Sequence, residues 1–375
     1  MSQQISMTET EPHTALTFDC AAARDVEVTE ASEEDTASWN CFVTQNSEGD
    51  HYHAWPWGDI ISSSFGHRCR RLIARRGSCV VGVLPLSEVR SLIVGRVLIS
   101  LPYLNGGGLL VADAAAARAL LSRCAKLQHE SSARYVELRH RGTGSQALSG
   151  WCSSSHKVAM SLSLDGDSDA LFHQFPGKLR SQIRRPIKAG AIIESYTGEN
   201  YPKRSIDGFY QVFSTNMHAL GTPVYPKQLF INTLKAFGSH SRLITVWLGA
   251  RCAAGAITIA GRDSVEIPWA SSLREDNHVA PNMLLYWEAI RNACQDGYQS
   301  FDFGRSTPGS GTYRFKCQWG ANPKPLYWHY SLAGSASIPD LNPNSQKYRL
   351  VTNIWRRLPL PVTKLAGPWL TRSLP

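Results

Sequence analysis

One order of local signals runs twice through this chain of 375 residues. In the first pass, Arg71 to Leu86 reads as two β-rich runs around Arg76-Gly77-Ser78, a hairpin signal. An extended run at Val97 to Leu101, a glycine cluster at Asn105-Gly-Gly-Gly108, an Ala/Leu-rich helix from Asp113 to His129, and strands at Tyr135 to Arg139 and Val158 to Leu164 follow. In the second pass, Arg242 to Ile259 is again a hairpin, now around a Gly-Ala-Arg turn. A strand at Val265 to Ala270, a helix from Pro281 to Gln295 with proline in its first turn, and strands at Ser300 to Phe303 and Leu326 to Leu332 complete it. Arg242 stands 171 residues after Arg71 (242 − 71), and Asp302 stands 165 after Glu137 (302 − 137). Recurrence at a domain-length offset predicts a duplicated α/β (α+β) unit.

Between the copies the pattern predicts helices at Leu171 to Phe175, Lys178 to Lys188, Ile206 to Leu220 and Pro226 to Phe237. The chain then divides into an acidic disordered tail over 1–24 that leads to a first strand near Val26, a first unit over 25–165, a second over 166–335, and a linker with an amphipathic tail over 336–375. In that tail Leu350, Val351, Ile354, Trp355 and Leu358 fall at helical spacing beside Arg356 and Arg357, and packing against the body is expected over lying on anionic lipid. With 43% hydrophobic residues, 11 Trp, 13 Tyr and 12 Phe, the chain has the means to build a core. No basic n-region precedes an apolar h-region, and no stretch approaches the roughly 18–20 apolar residues of a spanning helix, so the expected location is cytoplasmic. The nine cysteines are scattered and never fall as C-x-x-C, which suits a reducing compartment better than a disulfide framework or a zinc ribbon. His51 and His53 lack further Cys or His at ligand spacing, so no metal site is expected.

Lys and Arg number 39 against 30 Asp and Glu, a formal +9. Nine acids and Arg24 fall within the first 35 residues, so the body is more basic than the total implies. The charge is densest over Pro176 to Gly190, with Lys178, Arg180, Arg184, Arg185, Lys188 and no acid. On a helix Arg180, Arg184 and Lys188 share one face, a ridge suited to phosphate, although Pro186 is expected to kink or divide it. A solvated charged face is the plainer alternative.

A second constellation runs from Phe301-Asp-Phe-Gly-Arg-Ser306 through Gly309 to Phe315-Lys-Cys-Gln-Trp-Gly320. A strand, a glycine-rich turn and a short helix would bring Asp302, Arg305, Ser306, Tyr313 and Lys316 to the carboxyl end of a sheet, where α/β proteins bind ligands. Read plainly, Phe301, Phe303, Phe315 and Trp319 are core, Asp302 pairs with Arg305, and Lys316 is surface. The chain has no G-x-x-x-x-G-K-[ST], G-x-S-x-G or H-E-x-x-H, which removes the P-loop, the hydrolase elbow and the zincin.

Three strings resemble the FemAB aminoacyltransferases: Lys-x-Arg-x-x-Ile-Arg-x-x-x-Lys-Ala-Gly over 178–190, Ala-Pro-Asn-x-x-Leu-x-Trp-Glu over 280–288 and Phe-Lys-x-x-Trp-Gly over 315–320. Phe65-Gly-His-Arg68, Val81 to Leu86, Gly221-Thr-Pro-Val224, Phe301 to Ser306 and Arg357-Leu-Pro-Leu-Pro361 are similar to the PEP-CTERM/exosortase-associated branch of that group. The resemblance implies two tandem acetyltransferase-type (GNAT) domains, each a mixed sheet flanked by helices. It also implies transfer of an acyl or aminoacyl group from an activated ester or thioester to an amine of an envelope or exopolysaccharide precursor. Under it Lys316 stabilises the oxyanion or leaving group, and Asp302 is the weaker candidate for taking up the amine proton. Lys178, Arg180, Arg184 and Lys188 would contact phosphate, with Tyr225, Asn282, Tyr286, Arg305, Ser306, Tyr313 and Trp319 as further substrate residues.

Arg274 to Asn282 does not match the Gln/Arg-x-x-Gly-x-Gly/Ala pyrophosphate loop of ordinary acetyltransferases, and a long helical hairpin for tRNA is not evident. No permanently bound cofactor is expected, and the donor stays open between aminoacyl-tRNA and acyl-CoA. The acceptor would be a phosphate-bearing precursor, met in the cytoplasm or in peripheral contact with the inner membrane. Two other readings stand beside this one: an acetyl-CoA-dependent N-acetyltransferase acting on a small amine or amino sugar, and a noncatalytic anion- or RNA-binding adaptor.

Overall fold

Both hairpins form, and each turns on a glycine with positive φ: Gly77 at 60° and Gly249 at 60°. A side chain there would strain the backbone, so the two glycines at matching places fix the register of matching hairpins. The computed structural model describes residues 25–91, 95–142, 146–334, 338 and 346–374; the tail expected over 1–24 and most of the linker lie outside them. The strands are β1 (Glu27–Glu30), β2 (Arg68–Arg76), β3 (Cys79–Ser91), β4 (Gly95–Ile99), β5 (Leu110–Val111), β6 (Tyr135–His140), β7 (Cys152–Ser163), β8 (Ile192–Thr197), β9 (Ser241–Leu248), β10 (Arg251–Ala260), β11 (Ser264–Ser272), β12 (Ser300–Ser306) and β13 (Asn322–Leu332). The helices are α1 (Thr36–Gln45), α2 (Pro56–Phe65), α3 (Ala114–Glu130), α4 (Ser168–Gln174), α5 (Gly177–Lys188), α6 (Lys203–Leu220), α7 (Lys227–Phe237), α8 (Pro281–Gln295), α9 (Gly311–Cys317), α10 (Gln346–Arg357) and α11 (Leu360–Thr371).

One mixed sheet takes in all of these strands, in the order β1-β2-β3-β4-β6-β13-β7-β12-β11-β10-β9-β8, with β5 paired to β3. Two neighbouring pairs are parallel, β4 with β6 and β11 with β12, one in each half; the other pairings are antiparallel. At the centre the halves exchange strands. β7, the last strand of the first half, pairs with β12 of the second, whereas β13, the last strand of the second half, pairs with β6 of the first. The sheet therefore runs unbroken across the division placed at 165.

Helices cover both faces. α4, α5 and α8 enclose a core of Ile183, Leu285, Ile290, Phe301 and Trp319. On the other face α2, α6 and α7 bring Trp57, Phe209, Phe230 and Trp269 together, each at most 4% exposed. Truncating one such ring to Ala costs about 3–5 kcal/mol. α3 covers the first half, and its N-cap Asp113 accepts from Ala115 N and Ala116 N at 2.9 Å each, worth about 1 kcal/mol.

Three expectations need correction. Pro186 does not divide the basic helix: α5 runs unbroken from Gly177 to Lys188, and Pro186, two residues before its end, leaves almost no helix beyond it to break and is buried. The tail, read as helical only through Leu358, continues past Pro359 as a second helix, α11, with its prolines at the first turn and at Pro368. Cys79 is disulfide-bonded, which the scatter of cysteines does not predict. The expected packing of the tail is present. α10 and α11 lie on α6, Trp355 is buried, and Arg356 Nη2 donates to Leu220 O at 3.1 Å.

Candidate active site

β11 and β12 stay paired only through Ser264–Glu266 and Ser300–Asp302. Beyond that point they part, and a cleft of about 170 Å³ opens between β11, α6, α8 and α9, lined by Asn216, Ser271, Ser272, Asn282, Tyr286 and Phe315. Tyr286 stacks on Phe303 with ring centroids 5.7 Å apart, and Asn216 Nδ2 donates to Ser271 Oγ at 3.1 Å. Asn282 sits in the first turn of α8, just after Ala280, whose φ of 62° is a strained conformation for a residue with a Cβ.

Gly304 has φ 72°, which turns its carbonyl out of the strand ladder. Ser310 caps α9 by accepting from Tyr313 N at 3.2 Å, and this short helix carries Lys316 back over the strand. Lys316 Nζ donates to Gly304 O at 3.0 Å and to Arg305 O at 2.9 Å, and the side chain is buried rather than on the surface. Burial presses its pKa down to about 8, with Arg305 adding to the shift and the Asp302 and Glu266 carboxylates opposing it. An amine in that condition exchanges its proton close to neutrality.

Below Lys316 lies a buried charge network. Asp302 pairs with Arg141, not with Arg305, and its Oδ1 accepts from Gly304 N at 2.7 Å. Burial raises its pKa and Glu266 adds to the rise, against the pull of Arg141. Asp302 is 2% exposed with both oxygens engaged, which differs from the open carboxylate expected of a proton acceptor. Glu266 Oε2 lies 2.7 Å from His51 Nε2, and its Oε1 accepts from Asn105 Nδ2 at 3.4 Å. Burial raises the Glu266 carboxyl, but His51 and Arg141 outweigh it and hold the pKa low. In the first half Glu137 pairs with Arg139 at 2.6 Å; Arg139 lies 4.4 Å from the Trp328 ring centre, and Arg305 lies 5.5 Å from the same ring.

The remaining expected residues separate. Trp319 is 1% exposed and packed among Phe175, Tyr286, Phe303 and Phe315, which makes it a core residue with no face for substrate. Ser306 is buried, and its Oγ lacks a hydrogen-bond partner. Tyr313 is half-buried on α9. Tyr225 stands 5.6 Å from Tyr103, and burial raises its pKa while Arg305 and Arg139 lower it. On α5, which packs on α8, Lys178, Arg184 and Lys188 are exposed and Arg180 is half-buried with an unpartnered Nε. Among the described residues none of these four makes an ion pair.

Sequence reasoning missed His51, Tyr52, Asn105, Arg141 and Glu266, which reach the site from both halves. A signal for Glu266 is a charge inside the apolar run Val265 to Ala270. It also missed a groove of about 960 Å³ between α6, the β9–β10 hairpin and α11, whose walls include Arg204, Trp247, Arg274 and Lys364. That groove shares Asn216 and Ser272 with the cleft.

Comparison with known proteins agrees with this geometry. Residues 177–317 match the family model "Acetyltransferase (GNAT) domain". No curated protein sequence matches the chain. Among solved structures the fold is similar to FemX, at 15% identity and a TM-score of 0.63, covering 80% of this chain and 96% of that one. It is also similar to a tandem GNAT protein from the clavulanic acid biosynthesis pathway, at 13% identity and TM-score 0.56, covering 84% and 100%. A third likeness is to the C-terminal domain of a chain described as a lysylphosphatidylglycerol synthetase from Agrobacterium fabrum, at 12% identity and TM-score 0.54, covering 81% and 93%. The chain thus has a tandem GNAT fold, and its second half carries a GNAT acyltransferase domain.

Proposed function

We propose that the protein transfers an acyl or aminoacyl group from an activated ester or thioester to an amine of a cell-envelope or exopolysaccharide precursor. The observation that carries this reading is Lys316, a buried amine with a pKa of about 8, held by two carbonyls at the fork of β11 and β12. The acceptor nitrogen attacks the donor carbonyl, a C–N bond forms, and the C–O or C–S bond breaks. The Lys316 ammonium stabilises the oxyanion and lends a proton to the leaving group, and recovers one from the amine that has reacted. Asp302 and Glu266 keep that ammonium charged, and the cleft between Asn216 and Tyr286 is the place for the acyl carbonyl.

The unpaired cations of α5 support a phosphate-bearing acceptor. Similarity to FemX and to the lysylphosphatidylglycerol synthetase domain supports an aminoacyl donor, and the strings at 301–306 and 357–361 favour the PEP-CTERM/exosortase-associated branch. No helix among the described residues is long and apolar enough to cross a membrane.

The test is mass spectrometry of precursor pools and extracellular polysaccharide from cells with the protein, without it, and with Lys316→Met. One acyl or aminoacyl mass increment should depend on the native protein and be absent with the variant. Identical pools in all three would end this reading. An acetyl increment would move it to the acetyl-CoA alternative, which the matched acetyltransferase model favours.

A further inference from the structure

From residue 341 to its end the chain carries six cations, Lys347, Arg349, Arg356, Arg357, Lys364 and Arg372, and no acid. Within this segment α11 uses one face to dock. Thr363, Gly367 and Thr371 are buried there, and Thr371 O accepts from Tyr103 Oη at 3.2 Å. A Cβ placed on Gly367 would stand 2.8 Å from the Val224 nitrogen, so the helix rests directly on backbone. The opposite face presents Val362, Leu365 and Trp369, which are 46%, 85% and 60% exposed. At helical spacing this apolar line lies about 180° from the docked line.

Single apolar side chains on a surface are ordinary, but an aligned set that includes Trp, in a segment without one acid, is not. Beside Trp369, Arg68, Arg90 and Arg372 rim a hollow of about 550 Å³ in which Glu88 is the one acid. Arg68 and Arg372 make no ion pair among the described residues. That rim fits an anionic headgroup, and Trp at its edge suits the boundary between headgroup and acyl chain. Two copies of this face would set cations against cations, which disfavours self-association through it.

We propose that the outer face of α11 docks the protein onto an anionic bilayer surface, with Val362, Leu365 and Trp369 entering the headgroup boundary and the neighbouring arginines meeting lipid phosphates. α11 also walls the larger groove through Leu360 and Lys364, which at helical spacing fall near the docked line, so the groove lies on the side of the helix away from the bilayer.

Co-sedimentation of the full chain with vesicles of phosphatidylcholine, alone or with about one third phosphatidylglycerol, tests this. The native protein should pellet with the anionic vesicles and not with phosphatidylcholine alone, and less so as salt rises. The double variant Leu365→Ser, Trp369→Ser should keep its thermal midpoint, because both side chains are exposed, and lose ~10-fold or more in partitioning. Absence of native binding, or equal binding by the double variant, overturns the proposal. So does a lipid-free native dimer, seen by sedimentation equilibrium, that the double variant dissolves.

Discussion

Arg141, just past β6 in the first half, forms an ion pair with Asp302 on β12 in the second. The acid beneath Lys316 is therefore neutralised from the other copy of the repeat. Glu137 stands at the corresponding position of β6. It is paired with Arg139 two residues along its own strand, whereas two residues after Asp302 stands Gly304. The second half has no arginine at that place, and the glycine there turns a carbonyl out toward Lys316.

Arg141→Ala should leave Asp302 buried without its counter-charge and cost about 3 kcal/mol of stability. Adding Asp302→Asn should restore much of that loss, because the stranded charge is then gone. Urea unfolding of the native protein, both single variants and the double variant measures the coupling; additive losses would show that the pair does not act as one unit.

Lys316 holds its proton less tightly in the folded protein, at about 8, than at its ordinary value of 10.5. Between these values the unfolded chain binds more protons than the folded one, so stability should rise with pH across that window, by up to about 3 kcal/mol. Below pH 8 the full cost of burying the ammonium remains. Lys316→Met should flatten this part of the stability curve relative to the native protein. Transfer should fall as pH climbs through about 8, since the ammonium is the working form, and the variant should lose about 100-fold or more of the rate.

Gly304→Ala brings its Cβ to 3.6 Å from Glu266 Oε1, an ordinary contact, so its cost comes from the backbone. At φ 72° that cost is about 1–2 kcal/mol. The carbonyl that holds Lys316 should shift, so kcat should fall more than KM rises. A variant with native kinetics would show that this carbonyl does not position the lysine.

Replacing Lys178, Arg184 and Lys188 together with Ala removes three exposed cations that no acid pairs with among the described residues. Stability should change by no more than about 0.5 kcal/mol for each. The KM for a phosphate-bearing acceptor should rise, and its dependence on salt should weaken. Unchanged salt dependence would return the ridge to the role of a solvated face.

The repeat was legible because both hairpins, α3, α8 and β12 carry strong local signals: glycine turns, an Asp cap, proline in a first turn. α8 runs from Pro281 to Gln295 as the pattern predicts. The strand, glycine turn and short helix over 300–317 bring Lys316 toward the sheet from pattern alone, but its burial was not legible, since that depends on the turn at Gly304. The Arg141–Asp302 and His51–Glu266 pairs join residues 161 and 215 positions apart, and nothing local in the chain announces such partners. β8, α1, α2 and α11 were missed for a different reason. Their apolar residues answer to packing partners elsewhere in the chain, as Trp57 in α2 does to Phe237 and Trp269.

The exchange of β7 and β13 has a bearing on how the protein is made. β6, paired early with β4, cannot gain its second neighbour, β13, until residue 332 has been synthesised, so the first half must wait on the ribosome with that edge of β6 open to solvent. A gene cut near residue 165 would yield two fragments, each lacking its central strand and each carrying its partner's. Expressed alone, either fragment should aggregate; expressed together, they should recover one another as a split protein.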